Sequence, residues 1–153
     1  MDFFEQISNN GVLIATFAAW LISCVLKGLI ICVRERKFNI GRFMGPGGMP
    51  SSHSAIVAAL SVAVGRAMGF DSPAFAITAA LSLIVMYDAS GIRRAAGKQA
   101  EMINAIVEAW NEKDPLIKQI KLKELLGHTP IEVFAGAVLG IVVAVLMPIA
   151  AVY

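Results

Sequence analysis

Four long apolar stretches dominate the chain, and they cover residues 11–33, 54–70, 73–89 and 131–153. The outer two are long enough, at about 1.5 Å per residue, to cross about 30 Å of hydrocarbon as helices. The middle two are marginal, so we expect either that flanking residues extend them or that the bilayer thins around them. The alternative for residues 54–89 is a helical hairpin buried in protein.

Between the last two stretches the pattern changes to that of amphipathic helices. Residues 93–112 carry an apolar stripe at helical spacing, formed by Ile103, Ile106, Val107 and Trp110. The stripe predicts a helix that lies on the membrane surface or on the helical bundle. Asp114 followed by Pro115 is a helix-start signal, and it predicts a second short helix that runs to about Leu126.

The composition agrees with a membrane protein. Hydrophobic residues make up 58% of the chain and charged residues 16%, whereas a soluble domain is about a quarter charged. This excludes a water-soluble enzyme and a disordered tail, and a net charge of +2 argues against a nucleic-acid partner. We therefore expect an all-α integral membrane protein in one domain, 1–153. It would be a compact bundle of about four transmembrane helices with a cytoplasmic amphipathic segment.

The two cysteines do not indicate a disulfide or a metal site. Cys24 and Cys32 lie in one apolar stretch, where eight helical residues separate them by about 12 Å. No cluster with metal-ligand spacing occurs elsewhere, so we expect no metal and no other cofactor.

Lysine and arginine are unevenly placed. Eleven of the thirteen lie in two polar segments, 34–53 and 90–130, whereas the N-terminal tail, the turn at 71–72 and the C-terminal end have none. By the positive-inside rule both segments are cytoplasmic loops and both termini lie outside. We expect a multi-pass protein of the cell membrane (inner or plasma membrane).

No basic residue precedes the first stretch, which is also longer than the apolar core of a signal peptide, so we expect it to remain as a span.

The first candidate site is the segment Gly47–Ser54, before the second apolar stretch. Ser51 or Ser52 can cap the helix that follows, and Gly48 allows a ligand to approach the backbone closely. A helix N-terminus with free N–H groups, hydroxyls and a histidine, His53, suits an anion and phosphate in particular. The structural alternative is a helix cap after a flexible loop. The functional interpretation is favoured because the chain has only two histidines.

The second candidate begins at Gly127 and opens the last stretch. Thr129 as N-cap, Pro130 at the first helical position and Glu132 at the third form a capping box. The box explains Thr129 and Glu132 structurally and leaves His128 unexplained. If Glu132 also reaches the imidazole, it selects the tautomer and favours the charged form, as a carboxylate does for a catalytic histidine.

In the predicted topology the second and fourth stretches both begin on the cytoplasmic side, each with a histidine at its start. Two helix N-termini would then direct their positive ends at one region. An acid and a nucleophile for phosphoryl transfer would meet there if the two helices are neighbours.

The third candidate is the basic segment after the third stretch. Arg93, Arg94 and Lys98 can neutralise charge that develops on a transferring phosphoryl group. Their other explanation is the positive-inside signal itself. Asp88 either pairs with one of them in the headgroup region or holds a metal, and one carboxylate alone is a weak metal signal.

Lys27 lies within the first stretch, about 13 Å from its cytoplasmic end. A lysine at that depth snorkels or points into a polar interior. Arg34 follows seven residues later, so the two side chains share one helix face.

Small residues recur at four-residue spacing in two of the stretches, namely Ser61, Gly65, Gly69, Gly136 and Gly140. Such faces allow helices to approach closely in lipid. Packing within the chain is the simpler explanation, and a homodimer interface is the alternative.

Three strings together resemble a known family: GGMPSSHSA at 47–55, DASGIRRAAGKQA at 88–100 and LKELLGHTPIEVF at 122–134. They are similar to those of the small divergent membrane branch of the type 2 phosphatidic acid phosphatase superfamily. That superfamily also includes bacterial acid phosphatases and vanadium haloperoxidases. The resemblance covers most of the chain from about residue 27 onward. It implies a helical membrane protein that acts on phosphate esters without a metal.

The first two superfamily motifs can be placed directly. The first is Lys, six residues, Arg-Pro, and Lys27 and Arg34 have this spacing, with glutamate in place of the proline. The second is Pro-Ser-Gly-His, and residues 50–53 match it with Ser52 in place of the glycine. Membrane members normally have six spans, whereas we expect four here.

The third motif is Ser-Arg, five residues, His, three residues, Asp. His128 and Glu132 match its end, with glutamate replacing aspartate. Leu122 stands where the arginine belongs, and we expect Arg93 or Arg94 to supply that guanidinium from another helix.

The resemblance implies a role for each matched residue. His128 would be the nucleophile that forms a phosphohistidine, Glu132 would orient it, and His53 would protonate the leaving alkoxide. The phosphate would be held by Lys27, Arg34, Ser51, Ser52 and the pair Arg93 and Arg94, with Lys98 adding positive charge and with Asp88 and Gly48 as supporting residues.

The well-known membrane lipid phosphatases of this superfamily face outward, whereas charge counting places this site in the cytoplasm. A cytoplasmic site implies a substrate at the inner leaflet, such as phosphatidate, phosphatidylglycerol phosphate or a polyprenyl (pyro)phosphate.

The main hypothesis is a metal-independent lipid phosphatase. The alternative is a non-catalytic lipid-phosphate binder or translocase on a degenerate phosphatase scaffold. A purely structural four-helix subunit would leave both histidines unexplained.

Overall fold

The structure, a computed structural model, describes residues 2–36, 48–111 and 127–150, without the side chains of residues 35, 92–94, 110 and 111. Six helices form this part of the chain, and it contains no strand. They are α1 (Phe3–Ser8), α2 (Gly11–Glu35), α3 (Ser52–Met68), α4 (Pro73–Ser90), α5 (Ile92–Asn111) and α6 (Pro130–Leu146). The expected all-α class is confirmed.

Local signals set where the long helices begin. The N-cap side chain accepts a hydrogen bond from the backbone N–H three residues later at four helix starts, namely Asn10, Ser51, Ser72 and Thr129. Proline follows the cap in α4 and α6, where its missing N–H costs nothing because that group has no partner within the helix. Each of these signals involves residues within one turn of the helix start. The four helices begin within two residues of the starts of the predicted stretches.

Two segments are long and apolar enough to cross a membrane, Gly11–Arg34 and Pro73–Ala109. The second covers α4 and most of α5, with a break at Gly91 between them. The other apolar helices, α3 and α6, have 17 residues each and are therefore about 26 Å long, slightly less than the hydrocarbon thickness.

Helix α3 is central, since it contacts α2, α4 and α6. Small side chains form the core between α2, α3 and α6, namely Ala15, Ala19, Ala59, Ala63, Val143 and Ala144. Gly11 at the start of α2 lies against Pro148, just after the end of α6. The two helices therefore run in opposite directions.

Gly136 and Gly140 allow α6 to touch α3 backbone to backbone. A Cβ atom at Gly136 would overlap the carbonyl oxygen of Ser51, and one at Gly140 would overlap that of Ala55. These glycines therefore serve packing within the chain, which was the simpler of the two explanations for their spacing.

Helix α6 ends at Leu146, earlier than the predicted stretch 131–153. Met147 is extended, with φ −73° and ψ 141°, because a residue before proline is disfavoured in the helical conformation. The guanidinium of Arg66 on α3 then donates hydrogen bonds through Nη1 to the carbonyl oxygens of Ala144, Val145 and Met147. It thereby satisfies carbonyl groups that the end of a helix leaves without partners.

Candidate phosphate site at two helix N-termini

The carboxylate of Glu132 joins the start of α6 to the ring of His128. Its Oε2 accepts a hydrogen bond from the backbone N–H of Thr129 at 3.0 Å and lies 3.2 Å from Nδ1 of His128. Thr129 Oγ1 accepts the N–H of Glu132 at 3.4 Å, which completes the capping box. The same carboxylate oxygen therefore caps the helix and contacts the imidazole, the dual role that the sequence left open.

This contact determines which nitrogen of His128 is available. When Nδ1–H donates to the carboxylate, Nε2 of the neutral ring keeps its lone pair, as a nucleophile or base requires. The ring is buried, with 4% of the residue exposed. The backbone N–H of His128 donates to the carbonyl oxygen of Ala89 at 3.0 Å, so the last turn of α4 holds the loop that carries the histidine.

A backbone hydrogen bond ties the start of α3 to the start of α6. The N–H of Ser51 donates to the carbonyl oxygen of Glu132 at 3.0 Å. The N–H and the hydroxyl of Ser54 both donate to Ser51 Oγ, at 3.3 and 3.0 Å. Ser51 and Ser54 are fully buried and Ser52 is nearly so. Ser51 is thus the N-cap of α3, and its hydroxyl oxygen serves the cap.

The two histidines lie side by side at these helix starts. The ring centroids of His53 and His128 are 6.0 Å apart, with 65° between the ring planes. His53 is exposed, whereas His128 is buried. The expected meeting of the two helix N-termini is therefore present, and the rings are close enough to contact a single phosphate group.

Lys27 reaches the same end of the molecule from α2. Only 2% of Lys27 is exposed. Gly48 has a φ of +87° and lies directly on the lysine stem, because a Cβ built on it would be 3.2 Å from Lys27 Cγ and Cδ. The close approach and the left-handed conformation both require glycine here. The lysine that matches the first motif is thereby packed against the segment that contains the second.

Arg34 does not share the burial of Lys27, although the two lie on one helix face. It is exposed, and together with Leu29, Ile30 and Val33 it lines an apolar groove of about 420 Å³. A second groove of about 560 Å³ lies between α1 and the start of α2. Neither groove is lined by a histidine, so the grooves do not mark the candidate site.

Comparison with known proteins agrees with the motifs. A family model described as the divergent PAP2 family matches residues 8–143. The chain belongs to the divergent PAP2 family. The uncharacterized membrane protein YuiD of Bacillus subtilis (strain 168) is 41% identical over 155 residues, which cover 93% of this chain and 96% of the relative. No solved structure matches. Family and relative together indicate a membrane protein of the divergent PAP2 family.

The remaining predicted site residues of this divergent PAP2 protein lie on α4 and α5. Asp88 is half-buried in the last turn of α4, beside the Ala89 carbonyl that holds His128. Lys98 is exposed on α5. Among the described residues, no three His, Cys, Asp or Glu side chains lie together as a metal site would require, and Asp88 is therefore not part of such a cluster.

Sequence reasoning missed two groups that organise the fold of this chain. The Ala89 carbonyl has no side-chain signal that could have indicated its contact with His128. Arg66 did have one, because an isolated charge inside an apolar stretch must find partners or reach the membrane surface. In the structure Arg66 finds partners, namely the carbonyl groups at the end of α6.

Five predictions fall outside the described residues. They are the short helix at 114–126, the end of the last stretch at 151–153, the guanidinium groups of Arg93 and Arg94, the Trp110 side chain of the stripe, and Gly47 at the start of the first candidate segment. The backbone of both arginines belongs to the first turn of α5.

Proposed function

We propose that this protein is a phosphatase that hydrolyses a lipid phosphate monoester or pyrophosphate through a phosphohistidine on His128. The observation that carries the proposal is the contact between Glu132 and His128 Nδ1, beside the ring of His53. Both histidines stand at helix N-termini, which favour bound anions. Membership of a family related to phosphatases supports the same class of reaction.

In the proposed reaction, Nε2 of His128 attacks the phosphorus and the bond to the leaving oxygen breaks. His53, protonated, donates its proton to the leaving alkoxide. His53 then takes a proton from water, whose oxygen attacks the phosphorus and breaks the P–N bond, which releases phosphate and restores Nε2. Glu132 stabilises the charge that develops on the imidazole during both steps.

Several residues are proposed to hold the phosphate. Lys27, Ser51 and Ser52 are buried at or next to the start of α3. The other proposed contacts are Arg34, Arg93, Arg94 and Lys98, with Gly48 and Asp88 as supporting residues. Positive charge at this place would stabilise the transferring phosphoryl group.

We further propose that α2, α3, α4 and α6 cross the membrane and that the site faces the cytoplasm. Helices α2 and α4 end at the side where α3 and α6 begin, which is also the side of the two basic segments. The substrate would then be a phospholipid or polyprenyl phosphate of the inner leaflet.

Cysteines placed at residues 2 and 100, after replacement of Cys24 and Cys32, test the proposed topology in intact cells. Labelling of residue 100 by an impermeant reagent would contradict the topology.

The activity itself is tested with purified protein in detergent and a panel of lipid phosphates. We expect phosphate release in the presence of EDTA, no release by His128→Ala, and strongly reduced release by His53→Ala. Glu101→Ala, which removes an exposed carboxylate on α5, is the control and should be fully active. Unchanged activity of His128→Ala would refute the phosphohistidine mechanism.

The burial of His128 favours a second candidate function. A side chain with 4% exposure is poorly accessible to a substrate, so the protein would bind lipid phosphates, or move them across the membrane, without hydrolysing them. The same panel separates the two functions. Saturable binding of a lipid phosphate without phosphate release supports the second, and release that depends on His128 supports the first.

A further inference from the structure

Helix α5 exposes three large apolar side chains and buries a polar one. Met102, Ile103 and Ile106 are 66%, 46% and 57% exposed. Asn104, on the same helix, is 5% exposed. A helix on the surface of a water-soluble protein has the opposite arrangement, so the surroundings of the exposed face must themselves be apolar.

The helical register separates the two faces. At 100° per residue, Met102, Ile106 and Ile103 fall within one arc of about 100°, whereas Asn104 lies on the opposite side. Gly97 is also buried and lies on the Asn104 side. Of the predicted stripe, Ile103 and Ile106 are exposed on this face and Val107 is half-buried, whereas the side chain of Trp110 lies outside the described residues.

Helix α5 directly follows α4, whose outer surface is also apolar. That surface carries Leu83, Ile84 and Tyr87, which are all exposed, and α4 belongs to a segment that is apolar enough to cross a membrane. The chain turns into α5 at Gly91, whose N–H donates to the Tyr87 carbonyl oxygen at 2.9 Å. The two helices that carry these apolar faces are thus joined through a single residue.

We propose that α5 lies in the boundary between headgroups and acyl chains of the bilayer, with Met102, Ile103 and Ile106 inserted among the chains. The direct connection to α4, which belongs to a segment that is apolar enough to cross a membrane, favours lipid over a second copy of the protein. Lys98 is exposed one turn before Met102, where an ammonium can contact the lipid phosphates while its stem lies on the apolar surface.

This placement has a consequence for the histidine site. The Ala89 carbonyl that holds His128 lies three residues before α5 begins. A helix in the interface would therefore keep the site near the depth of the lipid phosphates. This consequence rests on the proposed function, whereas the membrane contact of α5 does not.

Site-specific fluorescence tests the membrane contact without any activity. Ile103→Cys, Ile106→Cys and Glu101→Cys are made in a background without Cys24 and Cys32, labelled with an environment-sensitive dye and reconstituted into phospholipid vesicles. Glu101 is exposed on another side of the same helix and is the matched control. Lipids with a quencher near the top of the chain should quench positions 103 and 106 about threefold more than 101, because such helices sit only 5–10 Å deep.

Two results would overturn the proposal. Absence of lipid quenching at all three positions would place the helix in water. Protection of 103 and 106 from aqueous iodide without lipid quenching would mean that protein covers this face, and disulfide-linked dimers of Ile106→Cys would identify a second copy as the cover. Either result leaves the phosphatase assay unaffected, so the two proposals fail separately.

Discussion

One methyl group added at Gly140 should force α6 away from α3. A Cβ atom there would overlap the carbonyl oxygen of Ala55 and lie 3.0 Å from the backbone nitrogen of Ala59. Both are main-chain atoms of a helix and cannot rotate aside. Overpacking of this kind costs about 1–3 kcal/mol, whereas replacing glycine by alanine inside a helix gains about 1 kcal/mol. Because the obstacle is backbone, we expect a net loss of about 1–2 kcal/mol for Gly140→Ala.

Gly65→Ala is the matched control, since it makes the same change in the interior of α3. Its Cβ would lie 2.5 Å from ring atoms of Phe70 and 3.0 Å from the ring of Phe75. Both are side chains rather than backbone, and Phe70 is exposed and can turn away. The gain in helix propensity then offsets the cost of moving the ring. We expect this variant to be about as stable as the unmodified protein.

Thermal unfolding in one detergent measures the difference. At about 2–4 °C per kcal/mol, Gly140→Ala should lower Tm by about 2–8 °C, and Gly65→Ala should change it by about 2 °C or less. If Gly140→Ala unfolds at or above the temperature of Gly65→Ala, the backbone contact between α3 and α6 does not exist as described.

Three further changes probe the site and its support. Glu132→Gln keeps an oxygen for the cap but removes the charge beside His128, so we expect nearly unchanged Tm and phosphatase activity lower by about 100-fold, whereas Glu132→Ala should also lose about 1 kcal/mol of stability with the cap. Arg66→Met leaves the end of α6 without its donor and should cost about 2 kcal/mol by thermal unfolding, with Arg66→Lys in between. Ser82→Ala removes the hydroxyl that donates to the Val57 carbonyl oxygen at 2.7 Å and should cost about 1 kcal/mol.

Each of these has a contrary outcome. Equal activity of Glu132→Gln and the unmodified protein would separate the carboxylate from the chemistry, even if the capping role holds. An Arg66→Met variant as stable as the parent would mean that lipid or water replaces the guanidinium at the end of α6. A Ser82→Ala variant without any change in Tm would assign the contact between α3 and α4 to packing alone.

The sequence predicted best what depends on neighbours within one helical turn. The capping box of Thr129 and Glu132 could be recognised because both of its hydrogen bonds join residues three apart, and the cap at Ser51 is equally local. The apolar stretches predicted the long helices for a similar reason, since about 20 consecutive apolar residues have few other solutions. Even the contact between Glu132 and His128 was within reach, as the residues are one turn apart.

Contacts between helices could not be derived in this way. Lys27 and Arg34 share a face by spacing, yet only Lys27 is buried, because burial depends on where α3 begins beside α2. The predicted stripe on α5 is exposed at Ile103 and Ile106 and half-buried at Val107, and a stripe by itself does not specify what it faces.

The sequence by itself determined a helical membrane protein with two histidines at helix starts, because periodicity, caps and charge bias are read from adjacent residues. Only the tertiary structure decided that the two helix starts adjoin, with His53 exposed and His128 buried. The physical reason lies in long-range contacts of the backbone. Gly136 and Gly140 allow α6 to approach α3 closely, and Arg66 of α3 donates to carbonyl groups at the end of α6. The Ala89 carbonyl oxygen of α4 accepts the N–H of His128 and thereby holds the loop before α6.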